Sequence, residues 1–158
     1  METDLLNQLI SEAMSNPDWV STPGVTHCNS TVIYIANGFN IHDLDGLMAR
    51  DMGEIIKRMI SMSQGLDQSC KWMEDTPVNA VVHAKGGNFA FAWSPILQET
   101  HGHVAVVAPE DMEFSGTYGS QVPMVASISP YPFSNRIQKV SEAFRVINKP
   151  AYFLYKGG

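Results

Sequence analysis

The sequence predicts an α+β domain in which helices pack on an antiparallel sheet. Two patterns indicate this: apolar residues recur at helical spacing over the first half of the chain, and they alternate with a period of two from residue 89 onward. Helices that come first and strands that follow are typical of α+β folds, whereas α/β folds alternate the two. With 158 residues the chain can bury a sizeable core, so we expect a single domain over residues 1–158.

The first two helices are predicted close to the N-terminus. Residues 4–14 carry an apolar stripe that ends before Asn16-Pro17. The second helix lies in the stretch VTHCNSTVIYIAN, residues 25–37, where Thr26 can serve as the N-cap and Asn37-Gly38 is a stop signal. Cys28 is therefore expected in the first turn of this helix.

The remaining elements follow in order. Two more helices are predicted over residues 47–63 and 77–85, the second with proline in its first turn and two glycines at its end. Strands are predicted over residues 89–93, 103–108, 122–128 and 151–155. Residues 64–76 show no clear pattern, residues 116–121 read as a loop, and residues 137–147 fit a helix or a strand.

Charge and composition exclude several classes of function. The net charge is −6, with 10 basic and 16 acidic residues, so nucleic-acid binding is disfavoured. No apolar run approaches the roughly 18–20 residues of a membrane span, and the N-terminus lacks the pattern of a signal peptide. The two cysteines, Cys28 and Cys70, do not indicate a disulfide-stabilised scaffold.

Cys28 and a later histidine are the candidate catalytic residues. A cysteine in the first turn of a helix lies at the positive end of the helix dipole, which favours the nucleophilic thiolate. The alternative is a small buried apolar residue, the usual role of a lone cysteine. In the segment HGHVAVV, His103 directly precedes an apolar run and His101 shares its strand face. A cysteine at a helix start followed by a histidine at a strand start is typical of the papain-like arrangement, with His103 as general base and then general acid.

A resemblance to a known family rests on these same segments. The sequence THCNSTVIYIA, followed by GLMARDMGEII, NFAFAW and HGHVAVVAPED, resembles the bacterial papain-like peptidoglycan hydrolases, the NlpC-type and CHAP-type amidases and endopeptidases. The resemblance covers about residues 24–129. It implies a papain-like fold without a cofactor and cleavage of amide bonds in the stem peptides of the cell wall. It also implies that Cys28 is the nucleophile and His103 the base.

The resemblance leaves the third catalytic residue open. Relatives place a polar residue near the end of the strand after the histidine strand, and Ser127 occupies that place here. Ser129, Glu113 and Asn135 are the alternatives. Many CHAP-type members have glutamine directly before the cysteine, where this chain has His27. His27 is thus either a second oxyanion donor or an exposed neighbour of the cap.

Two readings compete with the hydrolase. His101 and His103, joined by His27 and Cys28, have the ligand types of a zinc site but lack a common zinc spacing. A non-enzymatic wall-binding or inhibitor module would use Cys28 and His103 as structural residues. For the hydrolase, a sequence without a signal peptide is expected to act on the cell wall, in the periplasm or outside the cell, after phage- or secretion-mediated delivery, or to be a catalytic domain cut from a longer chain.

Overall fold

The structure, a computed structural model, describes residues 2–23, 27–63, 70–98, 101–129, 132–144 and 149–157, without the side chains of residues 2, 3, 96–98 and 101. Its helices are α1 (Glu2–Ser15), a 3-10 helix (Pro17–Trp19), α2 (Cys28–Gly38), α3 (Ala49–Ser63), α4 (Pro77–Lys85) and α5 (Val140–Phe144). Its strands are β1 (Trp72–Asp75), β2 (Ala90–Gln98), β3 (His101–Val107), β4 (Glu113–Ser115), β5 (Ser120–Val122), β6 (Met124–Ser127), β7 (Arg136–Lys139) and β8 (Ala151–Tyr155).

Six of these strands form one sheet with the order β1-β8-β2-β3-β6-β7, and every described pairing in it is antiparallel. Strands β4 and β5 form a separate hairpin. The predicted α+β class with an antiparallel sheet is confirmed. No helix in the described ranges is long and apolar enough to cross a bilayer.

The helix of Cys28 begins and ends close to where the sequence predicts. Thr26, the predicted N-cap, lies outside the described residues, and the cap position is occupied by His27, whose side chain makes no cap hydrogen bond. The helix begins without a side-chain cap, and its first main-chain hydrogen bond runs from Thr31 N to His27 O at 3.1 Å. The helix ends at Gly38, as predicted. Cys28 is its first residue.

Strand β1 was missed in the segment without a clear pattern. It is a four-residue edge strand paired only to β8 among the described strands, and Trp72 is its one buried side chain. A four-residue edge strand that ends in Glu74 and Asp75 has too few apolar positions to show a period of two. Its place in the sheet is decided by a pairing with residues some 80 positions away in the sequence, Trp72 opposite Tyr155.

Two other predictions about the C-terminal half were wrong or incomplete. The strand predicted over residues 122–128 is divided at Pro123, which has no N–H to continue a ladder. Val122 ends the hairpin and Met124 begins β6 in the main sheet. The ambiguous segment, residues 137–147, contains both forms, since β7 passes directly into α5. Residues 145–147 lie outside the described part.

The main sheet has an aromatic face that is covered by α3. Phe91 and Phe153 are direct cross-strand partners with ring centroids 5.4 Å apart, and Trp93 contacts Phe153. The Trp93 indole N–H donates to Ala49 O at 2.9 Å. Gly53 lies against the Trp93 ring, which would overlap a Cβ at this position. The glycine therefore sets how closely α3 approaches the sheet.

Close packing at Gly53 predicts the effect of adding one methyl group there. In Gly53→Ala the Cβ must displace Trp93, an overpacking cost of about 1–3 kcal/mol. The better helix propensity of alanine returns about 1 kcal/mol, so we expect a net loss of up to about 2 kcal/mol. Urea unfolding measures it. Gly116→Ala is the control, because nothing lies within 4 Å of a Cβ there. Equal stability of both variants would contradict the packing argument.

Candidate active site

Cys28 lies at the N-terminus of α2, and this helix packs against β3. Its N–H is in the first turn, where the helix dipole stabilises a negative charge on the side chain. Both cysteines are in the described part of the chain and both are thiols rather than disulfides. Cys28 is only 6% exposed, so most of the residue is shielded from water. The sequence-based prediction of a cysteine in the first helical turn is confirmed.

His103 lies on the face of β3 that points away from α3. Its neighbour Gly102 faces α3, because a Cβ at Gly102 would overlap the Arg50 backbone. Successive residues of a strand point to opposite faces, so the His103 side chain points to the other side of the sheet. There its ring meets the Phe144 ring of α5 edge-on, with centroids 4.8 Å apart. His103 is 5% exposed and therefore buried.

The structure brings His103 and Ser127 together. The Nε2 atom of His103 lies 2.9 Å from Ser127 Oγ, and Ser127 is 1% exposed. The contact exists because β6 is the sheet neighbour of β3, although the β4–β5 hairpin separates the two strands in sequence. Ser127 thus lies at the end of its strand, as inferred from the sequence, and it contacts His103 from there.

Ser127 Oγ lies near two groups, Ile128 O at 3.3 Å and His103 Nε2 at 2.9 Å. The Ser127 hydroxyl has one proton. When it donates that proton to Ile128 O, Ser127 Oγ accepts from His103, and the imidazole proton is on Nε2. Nδ1 is the unprotonated nitrogen in this tautomer. This is the form in which a histidine can accept a proton from a thiol.

Burial also determines the charge of His103. Loss of contact with water lowers the pKa of His103 from its ordinary 6.5 to about 4. The ring contact to Phe144 and the hydrogen bond to Ser127 provide no negative charge that would oppose this effect. At neutral pH the imidazole is therefore uncharged. It becomes a stronger base when a negative charge forms beside it, because an anion favours the imidazolium.

The other candidates for the third residue have different surroundings. Ser129 is buried, and its Oγ makes no hydrogen bond within the described part of the chain. Asn135 binds main-chain groups, accepting from Ser129 N at 3.0 Å and donating to Trp19 O at 2.9 Å. Glu113 is exposed and lies in the separate hairpin. Of the four residues, Ser127 is the one with a described hydrogen bond to His103.

Three further residues lie close to Cys28 or His103 in the sequence: His27, Asn29 and His101. His27 is half-buried before the helix, and the His101 side chain lies outside the described residues, although its backbone begins β3. Asn29, directly after the cysteine, donates from Nδ2 to Leu47 O at 3.3 Å and so ties the start of α2 to the segment before α3. Asn29 belongs to the Cys-Asn pair of the family resemblance, but its contact with a backbone atom could not be predicted from the sequence. Phe144 was not identified, since it lies in the ambiguous segment.

The described side chains do not form a metal centre. No group of three or more His, Cys, Asp or Glu side chains is placed to share an ion in those parts of the chain. His103 uses Nε2 for Ser127, which leaves one nitrogen for any other partner.

No protein-family model matches this chain, and no curated protein sequence is significantly similar to it.

The buried, neutral His103 predicts how stability depends on pH. The unfolded chain binds a proton at this residue below pH 6.5, whereas the folded chain does so only below about pH 4. Because the unfolded state binds more protons between these values, stability is complete above pH 6.5 and is lost as the pH falls to 4. The full loss is about 3 kcal/mol.

Urea unfolding of the wild type and of His103→Gln across this pH range tests the prediction. The glutamine variant has no titrating group at this position, so its stability should fall less on acidification, while carboxylates affect both proteins equally. His42→Gln is the matched control, since the His42 side chain is 58% exposed. Parallel pH curves for the wild type and His103→Gln would show that His103 is not buried in a neutral form.

Proposed function

We propose that this protein is a papain-like cysteine amidase or endopeptidase that cleaves amide bonds in the stem peptides of peptidoglycan. The observation that carries the proposal is the hydrogen bond from His103 to Ser127, on the strand against which the helix of Cys28 packs. In the tautomer in which His103 donates this bond, Nδ1 of the buried imidazole is unprotonated. A nucleophile, a base and a group that orients the base are the parts that thiol acyl transfer needs. The choice of substrate rests on the sequence resemblance.

In the first half of the reaction, the Cys28 thiol transfers its proton to His103 Nδ1 and the thiolate attacks the carbonyl carbon of the scissile amide. The first-turn N–H of Cys28 is the candidate donor to the oxyanion. The imidazolium then gives the proton to the leaving amine, and the C–N bond breaks. The products of this half are a free amine and a thioester on Cys28.

In the second half, water attacks the thioester and His103 Nδ1 takes one proton from it. The tetrahedral intermediate collapses, the C–S bond breaks, and the proton returns to the Cys28 sulfur. The released product is a carboxylic acid. Ser127 holds the ring in one orientation through both halves, because Nε2 keeps its proton and its hydrogen bond throughout.

The low pKa of His103 gives the site a specific electrostatic character. An imidazole with a pKa of about 4 is a poor acceptor for a thiol proton when it stands alone. The imidazolium is favoured once the thiolate or the oxyanion has formed, because opposite charges attract strongly where water is excluded. The imidazolium and its anionic partner are therefore most stable in the transition state. Stabilisation of that state is what accelerates the reaction.

A non-enzymatic wall-binding or inhibitor module is the second candidate, and the burial of the site favours it. Cys28 and His103 are 6% and 5% exposed, values that structural core residues share. In such a module the His103–Ser127 hydrogen bond would serve only to satisfy two buried polar groups. The two candidates differ in whether Cys28 is needed for breakage of a covalent bond.

Replacement of the thiol tests the proposal directly. Cys28→Ala and Cys28→Ser should abolish hydrolysis of purified peptidoglycan fragments, because both remove the attacking thiolate. Mass spectrometry of the digests measures turnover and also identifies the amide bond that is cut. Circular dichroism should show an unchanged fold.

Cys70→Ala is the control for this experiment. Cys70 lies in the loop before β1, with its thiol directed to Trp72 O at 3.7 Å, and should be dispensable for turnover. Full turnover in Cys28→Ala would disprove the thiol mechanism. Wall binding without any bond breakage by the wild type would favour the non-enzymatic module.

The contribution of Ser127 is expected to be modest. Its neutral hydrogen bond to His103 is worth about 0.5–1.5 kcal/mol, so Ser127→Ala should lower kcat/KM by roughly three- to tenfold. Ser115→Ala is the matched control, because Ser115 Oγ also makes a buried hydrogen bond, to Ser141 at 2.7 Å in another part of the fold. The control should lose stability but keep kcat/KM.

Two results would contradict this assignment. A loss of a hundredfold or more in Glu113→Gln, with Ser127→Ala unchanged, would make an acid from the hairpin the third residue. A larger loss in His101→Ala than in His103→Ala would transfer the role of base to His101, and with it the significance of the Ser127 contact.

A further inference from the structure

We infer that Asn135 is a positioning residue that fixes the direction of the Ser127–His103 hydrogen bond and ties the strand of Ser127 to the segment resting on the helix of Cys28. The inference goes beyond the proposed function by assigning a role to a residue that does not touch the imidazole, and it rests on that function for its effect on the rate. The contacts that carry it are two hydrogen bonds of one amide side chain.

The first of these bonds holds a peptide group beside Ser127. Asn135 Oδ1 accepts from Ser129 N at 3.0 Å, and this N–H belongs to the same planar peptide group as Ile128 C=O. The carbonyl at the other side of that peptide accepts the Ser127 hydroxyl proton at 3.3 Å. A peptide that cannot rotate keeps its carbonyl in place. The hydroxyl is then held with a lone pair toward His103 Nε2.

Four groups therefore form one directional series of hydrogen bonds. His103 Nε2–H donates to Ser127 Oγ, the Ser127 hydroxyl donates to Ile128 O, and the N–H of the same peptide donates to Asn135 Oδ1. Hydrogen bonds in such a series polarise one another and strengthen one another. In this series the Ile128 carbonyl can only accept and the Ser129 N–H can only donate, so the peptide itself sets the direction. Asn135 holds that peptide in place, which keeps the Ser127 hydroxyl directed to Ile128 O and favours the Nε2–H tautomer of the imidazole.

The second bond of Asn135 reaches the other half of the site. Its Nδ2 donates to Trp19 O at 2.9 Å, in the 3-10 helix that follows α1. The Trp19 ring packs edge-on against Tyr34, with centroids 5.1 Å apart, and Tyr34 belongs to α2, which begins at Cys28. Tyr34 is itself held by a 2.6 Å hydrogen bond to Glu12 of α1. The Asn135 side chain thus connects the segment after β6 to Trp19, which packs on α2.

The first test measures the tautomer of His103. This tautomer would not change if Asn135 had only a structural role. In the wild-type chain labelled with 15N-histidine, NMR should show His103 with its proton on Nε2, the signal being assigned by its loss in His103→Gln. Asn135→Ala should give averaged shifts of both ring nitrogens, because the peptide and the Ser127 hydroxyl can reorient. Unchanged His103 shifts in a folded Asn135→Ala protein would overturn the inference.

A conservative variant separates the two bonds and covers the case in which Asn135→Ala does not fold. Asn135→Asp keeps an oxygen acceptor for Ser129 N and loses the donor to Trp19 O, so the Nε2–H tautomer should be retained. Averaged shifts in Asn135→Asp would overturn the series of hydrogen bonds. Asn88→Ala is the matched control, since Asn88 Nδ2 likewise donates to a backbone oxygen, His83 O at 3.3 Å, in the turn after α4. It should leave the His103 signals unchanged.

The rate on purified peptidoglycan fragments supplies the second measurement. At matched folded fractions, Asn135→Ala should lower kcat by about three- to tenfold, the range expected for loss of Ser127 itself, with KM changed by less than about twofold, because a misdirected base affects the chemical step rather than binding. Asn135→Asp should recover part of that loss, and Asn88→Ala should match the wild type. An equal kcat in Asn135→Ala and the wild type would overturn the inference while leaving the proposed function intact.

Alkylation of Cys28 keeps the inference testable without turnover. In a Cys70→Ser background, Asn135→Ala should lower the rate of reaction with iodoacetamide by about threefold or more near neutral pH, because the imidazole is held less well as a base for the thiol. A change in both the tautomer and the alkylation rate, in a protein that cleaves no wall fragment, would support the role of Asn135 and refute the hydrolase. Unchanged alkylation in Asn135→Ala would contradict the link to α2.

Discussion

An uncharged imidazole between two neighbouring strands is the constraint on which the rest of the site depends. His103 is removed from water by the sheet and by Phe144, so it needs one well-placed hydrogen-bond partner and cannot easily hold a charge. Ser127 is that partner because β6 lies beside β3. The identity of the orienting residue, its strand and the protonation state of the ring therefore follow from one burial. A carboxylate in the place of Ser127 would change the protonation state of the ring, since it would favour the imidazolium.

The two faces of the main sheet differ: one packs against α3 and the other carries His103. On one face Phe91, Trp93 and Phe153 make a large apolar surface, and the glycines of α3 and β3 let helix and sheet approach closely. This packing fixes the position of β3 from the side opposite to the imidazole. The other face carries His103. Rigidity is thus provided by residues that take no part in the chemistry, which is how a site can hold its geometry without strain in its own side chains.

Local signals explain what could be predicted from the sequence. The start of α2 at Cys28, its end at Gly38 and the whole of α4 depend on caps, glycines and proline within a few residues. The features that were missed depend on distant partners. Strand β1 exists because β8 pairs with it. Asn135 was named only as an alternative third residue, and its hydrogen bonds to Ser129 N and Trp19 O depend on a fold that brings these groups together. Pro123 is a local signal for the break between β5 and β6. It was overlooked because the apolar residues on both sides of it suggested one continuous strand.

The place of β8 in the sheet has a consequence for how the protein is made. This last strand lies between β1 and β2, and its inner residue Phe153 fills the aromatic face. During synthesis, β1 therefore has no partner in the main sheet, and β2 stays an open edge, until Tyr155 has left the ribosome. The helix of the cysteine and the strand of the histidine are synthesised long before that. Synthesis of the candidate catalytic residues is thus separated in time from the closure of the sheet that supports them, and β2 is an unpaired edge in the interval.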